Sequence, residues 1–386
     1  MNRPRRHMAP PSAAARVLDH RPALLATLAL TLAAIAALLL ALPAHATGRI
    51  SAQDLSVLPV SYTLSDSKVV LYNLAGVATL EPTSGTQVIV EVARGGADAG
   101  KLKVVTGNAE GRSSLAVIYP GTRIVYPQMG RGSNTQSRVR DDGTFGGRNT
   151  GKWSNGHSIK ISGSGGGTEA HADLTLRIPK GADVVLRLAA GDVHVTNVDS
   201  KLMIDTGSGA VTSTGTRGSL SIDTGSGSVR VGDVEGPLSI DIGSGSVNVQ
   251  QQRGGAVLID TGSGSVSATN LDVPTPSIDT GSGDVDVSEV SSPHLHIDTG
   301  SGSVSVSLES VIDDMDIDSG SGRVDVEVPR ETGAMLSLET GSGSIDADAA
   351  LTSVHRDHGE LHAQMGNGRG RIVIETGAGG IRFAAH

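Results

Sequence analysis

The phrase IDTGSGSV stands at Ile222–Val229, at Ile259–Val266 and at Ile297–Val304, and near-copies fill most of the C-terminal half of the chain. The acidic residue after the first apolar one marks each copy: Asp205, Asp223, Asp241, Asp260, Asp279, Asp298, Asp318, Glu339 and Glu375. The intervals are 18, 18, 19, 19, 19, 20, 21 and 36 residues, and a degenerate copy, LRLAAGDV at Leu186–Val193, makes ten. Inside each copy nothing drifts. The first apolar column is Ile204, Ile222, Ile240, Ile259, Ile278, Ile297, Ile317, Leu338 and Ile374. Seven residues later comes the second: Val211, Val229, Val247, Val266, Val285, Val304, Val324, Ile345 and Ile381. All length variation therefore falls on the other arc.

A period this short excludes a βαβ unit, which needs roughly 30 residues or more. LSID alternates apolar and polar as a strand with one buried face does. TGSG then supplies two glycines for a tight turn, and SVRV resumes the alternation. The pattern predicts an all-β, single-stranded parallel β-helix, a right-handed β-solenoid of about ten coils with 18–21 residues each. Copies stacked roughly 4.8 Å apart must pack on themselves, so each coil is the mould for the next. A hexapeptide helix fails because Ile222 plus six is Ser228. The calcium-binding nonapeptide roll fails because the aspartate precedes the glycines and only one half of the coil carries them.

Composition agrees with a core of small and β-branched side chains: the 386 residues include 52 glycines and only 2% aromatics. There is no cysteine, which removes disulfides, thiolate metal sites, cysteine nucleophiles and a lipidated cysteine together. Residues 1–46 read as a signal peptide, with five arginines, an uncharged run from Pro22 to Ala46, and Ala44 and Ala46 in a small-x-small site. We expect cleavage after Ala46. The alternative is an uncleaved membrane anchor, since Ala23–Leu42 is about long enough to span a bilayer. Either way the remainder is expected outside the cytoplasm, whether secreted, periplasmic or on the cell surface. From Arg187 to His386 there are 28 acidic and 11 basic residues, a net of −17, whereas Thr47 to Leu186 carries a net of +4. An acidic surface repels nucleic acid and anionic lipid, so neither is an expected partner of the repeat half.

Residues 47–185 read as a β-rich N-terminal cap or first coils, ahead of the tandem solenoid at 186–386. Within them, about 120–168 is a Gly- and Arg-rich insert containing Tyr126, Phe145 and Trp153. Its composition predicts a mobile surface loop, with a contact site as the sharper alternative.

Two clusters invite a metal reading. The marker acids form a column that suits calcium. Yet carboxylates about 4.8 Å apart repel by only about 0.9 kcal/mol in water, which needs no metal. Each aspartate is instead expected to cap its own turn. The stretch HRDHGELH, His355–His362, holds three histidines with Asp357 and Glu360, but its acid is misplaced for the zincin pattern, so a solvated loop is expected. No catalytic, cofactor-binding or metal-ligating residue is assigned, and no cofactor. Sugar-cleaving β-helices line a groove with aromatic platforms, whereas Phe383 is the one aromatic after Trp153.

LYNLAGVATL at Leu71–Leu80, followed by tandem TGSGSV coils, resembles the bacterial putative-adhesin domains of unknown function. The resemblance covers Val69 to His386, implies a single-stranded parallel β-helix, and carries over no catalytic residues. The expected function is a non-enzymatic adhesin or structural scaffold of the cell envelope. Its expected partner is a cell-surface or extracellular polymer or protein, or further copies of itself. A membrane-anchored sensory ectodomain is the alternative, and a polysaccharide-active enzyme is the third reading.

Overall fold

The structure is a computed structural model that describes residues 58–146 and 156–386; the signal-peptide reading of residues 1–46 and Trp153 lie outside them. Within the described residues the chain is all-β, and no helix is long and apolar enough to cross a membrane. Two long columns of parallel strands run through it. On the first face Ile204, Ile222, Ile240, Ile259, Ile278, Ile297 and Ile317 pair in register, one strand to the next. On the second face Val211, Val229, Val247, Val266, Val285, Val304 and Val324 do the same. The strands Val229–Ser244 and Val247–Ser263 continue round a corner, where Val234, Gln252, Leu271 and Val290 start a third, shorter column. This is a β-solenoid. Of the eighteen inward positions named from the sequence, seventeen are at most 2% exposed. The exception is Ile345, which is half-buried.

The TGSG turns explain why the phrase tolerates so little change. A Cβ on the first glycine, Gly262, would stand 2.7 Å from the Gly243 carbonyl oxygen of the coil below. The second glycine, Gly264, has φ +143°, and its Cβ would collide with the Gly245 carbonyl. Threonine ties several of these turns together. The buried hydroxyls of Thr280, Thr299, Thr376 and Thr340 donate to the carbonyls of Gly264, Gly283, Gly322 and Gly379 in the neighbouring coil, at 3.4, 3.5, 3.0 and 2.8 Å. A buried hydroxyl needs a partner, and in these four turns a carbonyl of the neighbouring coil supplies it.

Stacking order departs from chain order at both ends. Gly370–Thr376 lies between Asp314–Ser319 and Ala334–Thr340, parallel to both, so the last copy in sequence is wedged inside the stack. Ile381–Ala385 lies in the same way between Val324–Val328 and Ile345–Asp348. The 36-residue interval is the detour this requires. The segment His355–His362, expected as a loop, lies in an antiparallel hairpin: Leu351–Asp357 pairs with Glu360–Met365, which pairs on Ala334–Thr340. Its turn is His358–Gly359, with Gly359 at φ +74°. At the other end Lys68–Asn73 lies between Asp183–Leu188 and Arg112–Ile118, and Lys103–Ala109 closes that column antiparallel. Ala78–Thr83 lies between Val193–Thr196 and His171–Pro179, closed by Val88–Gly95 and then Val60–Leu64. A parallel strand needs a long crossover to find its partner, whereas a hairpin pairs locally and stops the stack.

The insert is not the loop its composition predicts. Arg123–Val125, Asn134–Val139, His157–Ser162 and Thr168–Glu169 form a separate four-stranded sheet. Ile124, Val139, Ile159 and Ile161 are buried, giving the sheet its own apolar face. Phe145 then meets the Tyr72 ring edge-on at 5.8 Å, which docks the insert on the solenoid.

Candidate functional site

Side chains that point out of a solenoid make ladders, and the two flanking faces treat charge in opposite ways. On the third side Asp199, Arg217, Glu235, Arg253 and Asp272 follow one another in register, alternating in sign. Lys180 reaches Asp199 at 2.7 Å and Arg217 reaches Glu235 at 3.4 Å. The first face stacks like charges instead: Asp205, Asp223, Asp241, Asp260, Asp279, Asp298, Asp318, Glu375 and Glu339, in spatial order. Burial, then Asp279 and Asp241 on either side, hold the Asp260 carboxyl above the usual range. Glu375 is raised likewise, by burial and then by Glu339 and Asp318, which flank it because its coil is wedged between theirs.

At the lower end of that ladder the degenerate copy puts Arg187 where the acid would stand. It is 6% exposed, 2.6 Å from the Asp205 carboxylate and 3.1 Å from Glu110. The Tyr72 hydroxyl donates to Glu110 at 3.0 Å. Burial disfavours the guanidinium's charge, but Glu110 and Asp205 outweigh it and raise its pKa. Burial, then Glu110, pushes the Tyr72 phenol up. The insert closes this cluster: a Cβ on Gly146 would lie 2.9 Å from an Arg187 nitrogen. A buried, paired network of this kind positions the insert and leaves no open nucleophile or base.

The ladder predicts a pH effect. Asp260 has a folded pKa above its unfolded value, so its contribution to stability is fully present below the unfolded pKa and is lost as pH rises through the folded one. Asp260→Asn should therefore stabilise the chain at pH 7, by a few tenths of a kcal/mol because the side chain is exposed and salt-screened. Denaturant melts at pH 7 and at pH 3 check this: the gain should vanish at pH 3, and a loss at pH 7 contradicts it.

The second face carries a concavity. It is a shallow trough of about 560 Å³. Thr212, Thr214, Arg230, Asn248, Gln250 and Ser267 line it, all on strands of this face. Gly232 explains the hollow. It lies in register between Thr214 and Gln250, and a Cβ there would meet nothing within 4 Å. Hydroxyls, amides and one guanidinium at coil spacing offer repeated hydrogen bonds to a polar chain laid across the coils. The sequence reading missed this trough. Its signal was VRVG at Val229–Gly232, against VTST and VNVQ in the coils on either side. Among the described residues, no group of three or more His, Asp or Glu side chains is placed to hold a metal ion.

Residues 236–383 match the family model of the Toastrack domain, DUF4097. No curated protein matches the sequence. Among solved structures the chain is similar to a "putative cell adhesion protein" from Clostridium sporogenes ATCC 15579. That likeness is 11% identity over 85% of this chain and 100% of the other, with a TM-score of 0.19. It is also similar to a "putative adhesin" from Bacteroides fragilis NCTC 9343, at 12% identity over 84% of this chain and 96% of the other, with a TM-score of 0.28. The matched stretch begins in the corner before Leu238–Ser244, takes in the coils that follow, and ends in the strand that carries Phe383. The likeness to the Toastrack family thus lies in residues 236–383, the later coils of the solenoid.

Proposed function

We propose that this chain is a non-enzymatic, extracytoplasmic adhesin-type scaffold whose second face binds a hydroxyl-rich polymer of the cell envelope. The trough around Gly232 supports the reading, because hydroxyl and amide side chains recur along it from coil to coil and Arg230 is its one charged residue. A glycan laid over it would exchange hydrogen bonds with Thr212, Thr214, Asn248 and Gln250, and Arg230 favours a polymer bearing some negative charge. In this reading residues 1–46 direct export, residues 47–185 cap the solenoid, and 186–386 are the scaffold. Its coils, about ten with the TGSG phrase, wind right-handed, as parallel crossovers do.

Filling the trough tests the proposal. Gly232→Gln places a side chain in open space, so the melting temperature should hold while affinity for purified envelope polysaccharide falls at least tenfold. Undiminished binding by this variant rejects the second face as the site.

A further inference from the structure

Among the described residues, three of the four ends of the two long columns are closed by antiparallel strands: Lys103–Ala109, Val88–Gly95 backed by Val60–Leu64, and the hairpin Leu351–Asp357/Glu360–Met365. The fourth is different. Ile345–Asp348 ends the second face, and its one strand partner among the described residues is Ile381–Ala385, on the inner side. In earlier coils the residue at this position gives its N–H to the next coil. Val229 donates to Ser246 at 3.0 Å, Val266 to Asp284 at 2.9 Å, Val324 to Gly380 at 3.0 Å and Ile381 to Ser344 at 2.9 Å. Ile345 has no coil after it. Ala347, two residues on, has the same parity, so its N–H and carbonyl face the same open side.

Burial says the same thing independently. Val324, Val326, Ile381 and Phe383 are at most 1% exposed, while Ile345 and Ala347, which pair with Ile381 and Phe383, are only half-buried. Nor is the edge guarded as its neighbour is. Leu351–Asp357 is broken by a register shift with Ser353 at φ +52°, and ends in His355, Arg356 and Asp357. Such bulges and charges keep strands from adding to an edge. Ile345–Asp348 carries charges too, but Asp346 and Asp348 share one sign, and the strand has regular pairing and no residue with positive φ.

We propose that the free edge of Ile345–Asp348 binds one extended segment of a partner protein by strand addition. Main-chain hydrogen bonds would supply affinity, and alternate side chains specificity. Small aliphatic residues of the segment would stack on Ile345 and Ala347, completing the layer over Phe383. The intervening residues would lie beside exposed Asp346 and Asp348; beneath these come Arg382 and Ala384 and then Asp325 and Glu327, so the two columns hold four acids to one base and favour lysine or arginine. A second copy of this edge is the poorer occupant, because it would set aspartates against aspartates, and like charges opposite one another destabilise a sheet. The net charge of −17 beyond Leu186 draws a basic segment in.

The test uses the full chain and two labelled, end-capped peptides of about nine residues, near the usual strand length. One alternates valine with lysine, the other valine with glutamate. The chain should bind the lysine peptide and not the glutamate one, read by fluorescence anisotropy. Ala347→Pro removes an N–H that no neighbour uses, and Pro is tolerated on an edge. It should cut lysine-peptide affinity at least tenfold with an unchanged melt. Should that variant fail to fold, the exposed pair Asp346→Lys and Asp348→Lys decides, by switching preference to the glutamate peptide. Equal binding by Ala347→Pro and the parent chain would reduce the interaction to general charge attraction and overturn the proposal. Binding of neither peptide would overturn it too, as would a parent dimer that Ala347→Pro dissociates.

Discussion

Ile259→Asp is expected to cost about 4 kcal/mol or more, the penalty of a buried carboxylate without a partner. Ile259 is 2% exposed, and its column neighbours are Ile240 and Ile278, so nothing above or below can pair with the charge. Ser267→Ala, on the half-buried outward side of the second face, should stay within about 0.5 kcal/mol of the parent. Chemical denaturation of the two variants makes the comparison. Coils support only their neighbours, so the aspartate should also uncouple the coils on either side and broaden the transition. Matching midpoints for the two variants would mean that the isoleucine column is not the core.

The middle of the solenoid was legible because its contacts follow the period of the sequence. Ile259 packs on the residues 19 positions before and after it, and the spacing says so. The ends were not legible, because their partners are chosen out of chain order. Glu375 lies between Asp318 and Glu339, and only the 36-residue interval hinted at the detour. At the other end Lys68–Asn73 finds Asp183–Leu188 across more than a hundred residues, and no periodicity records that pairing. The insert was misread because glycine, serine and arginine outweighed Ile159 and Ile161, whose alternation alone signals the sheet. Two features of the surface had faint signals. Arg187 in the marker position of LRLAAGDV announced that the acid ladder ends in an ion pair, and Gly232 in VRVG announced a missing side chain. Ile345 looked like every other member of its column. Its half-burial follows from standing last in space, which its place in the sequence does not reveal.

A glycine series separates the two reasons for the repeated turn. Gly232→Ala adds a methyl where nothing lies within 4 Å and φ is not positive, so its effect should be near zero. Gly254 has φ +79° but open space around a Cβ, so Gly254→Ala should show the conformational penalty alone, about 1 kcal/mol. Gly264 has φ +143° and the Gly245 carbonyl in the way, and Gly283 rests on it from the next coil. Gly264→Ala must pay for both, and should cost about 3 kcal/mol or more. Urea denaturation of the three variants gives the order. If Gly264→Ala costs no more than Gly254→Ala, the glycine column exists for the shape of each turn on its own. If it costs at least twice as much, the close approach of one coil to the next sets the requirement. That second outcome is the one the stacked carbonyls imply, since each turn then forbids a side chain in the turn above it.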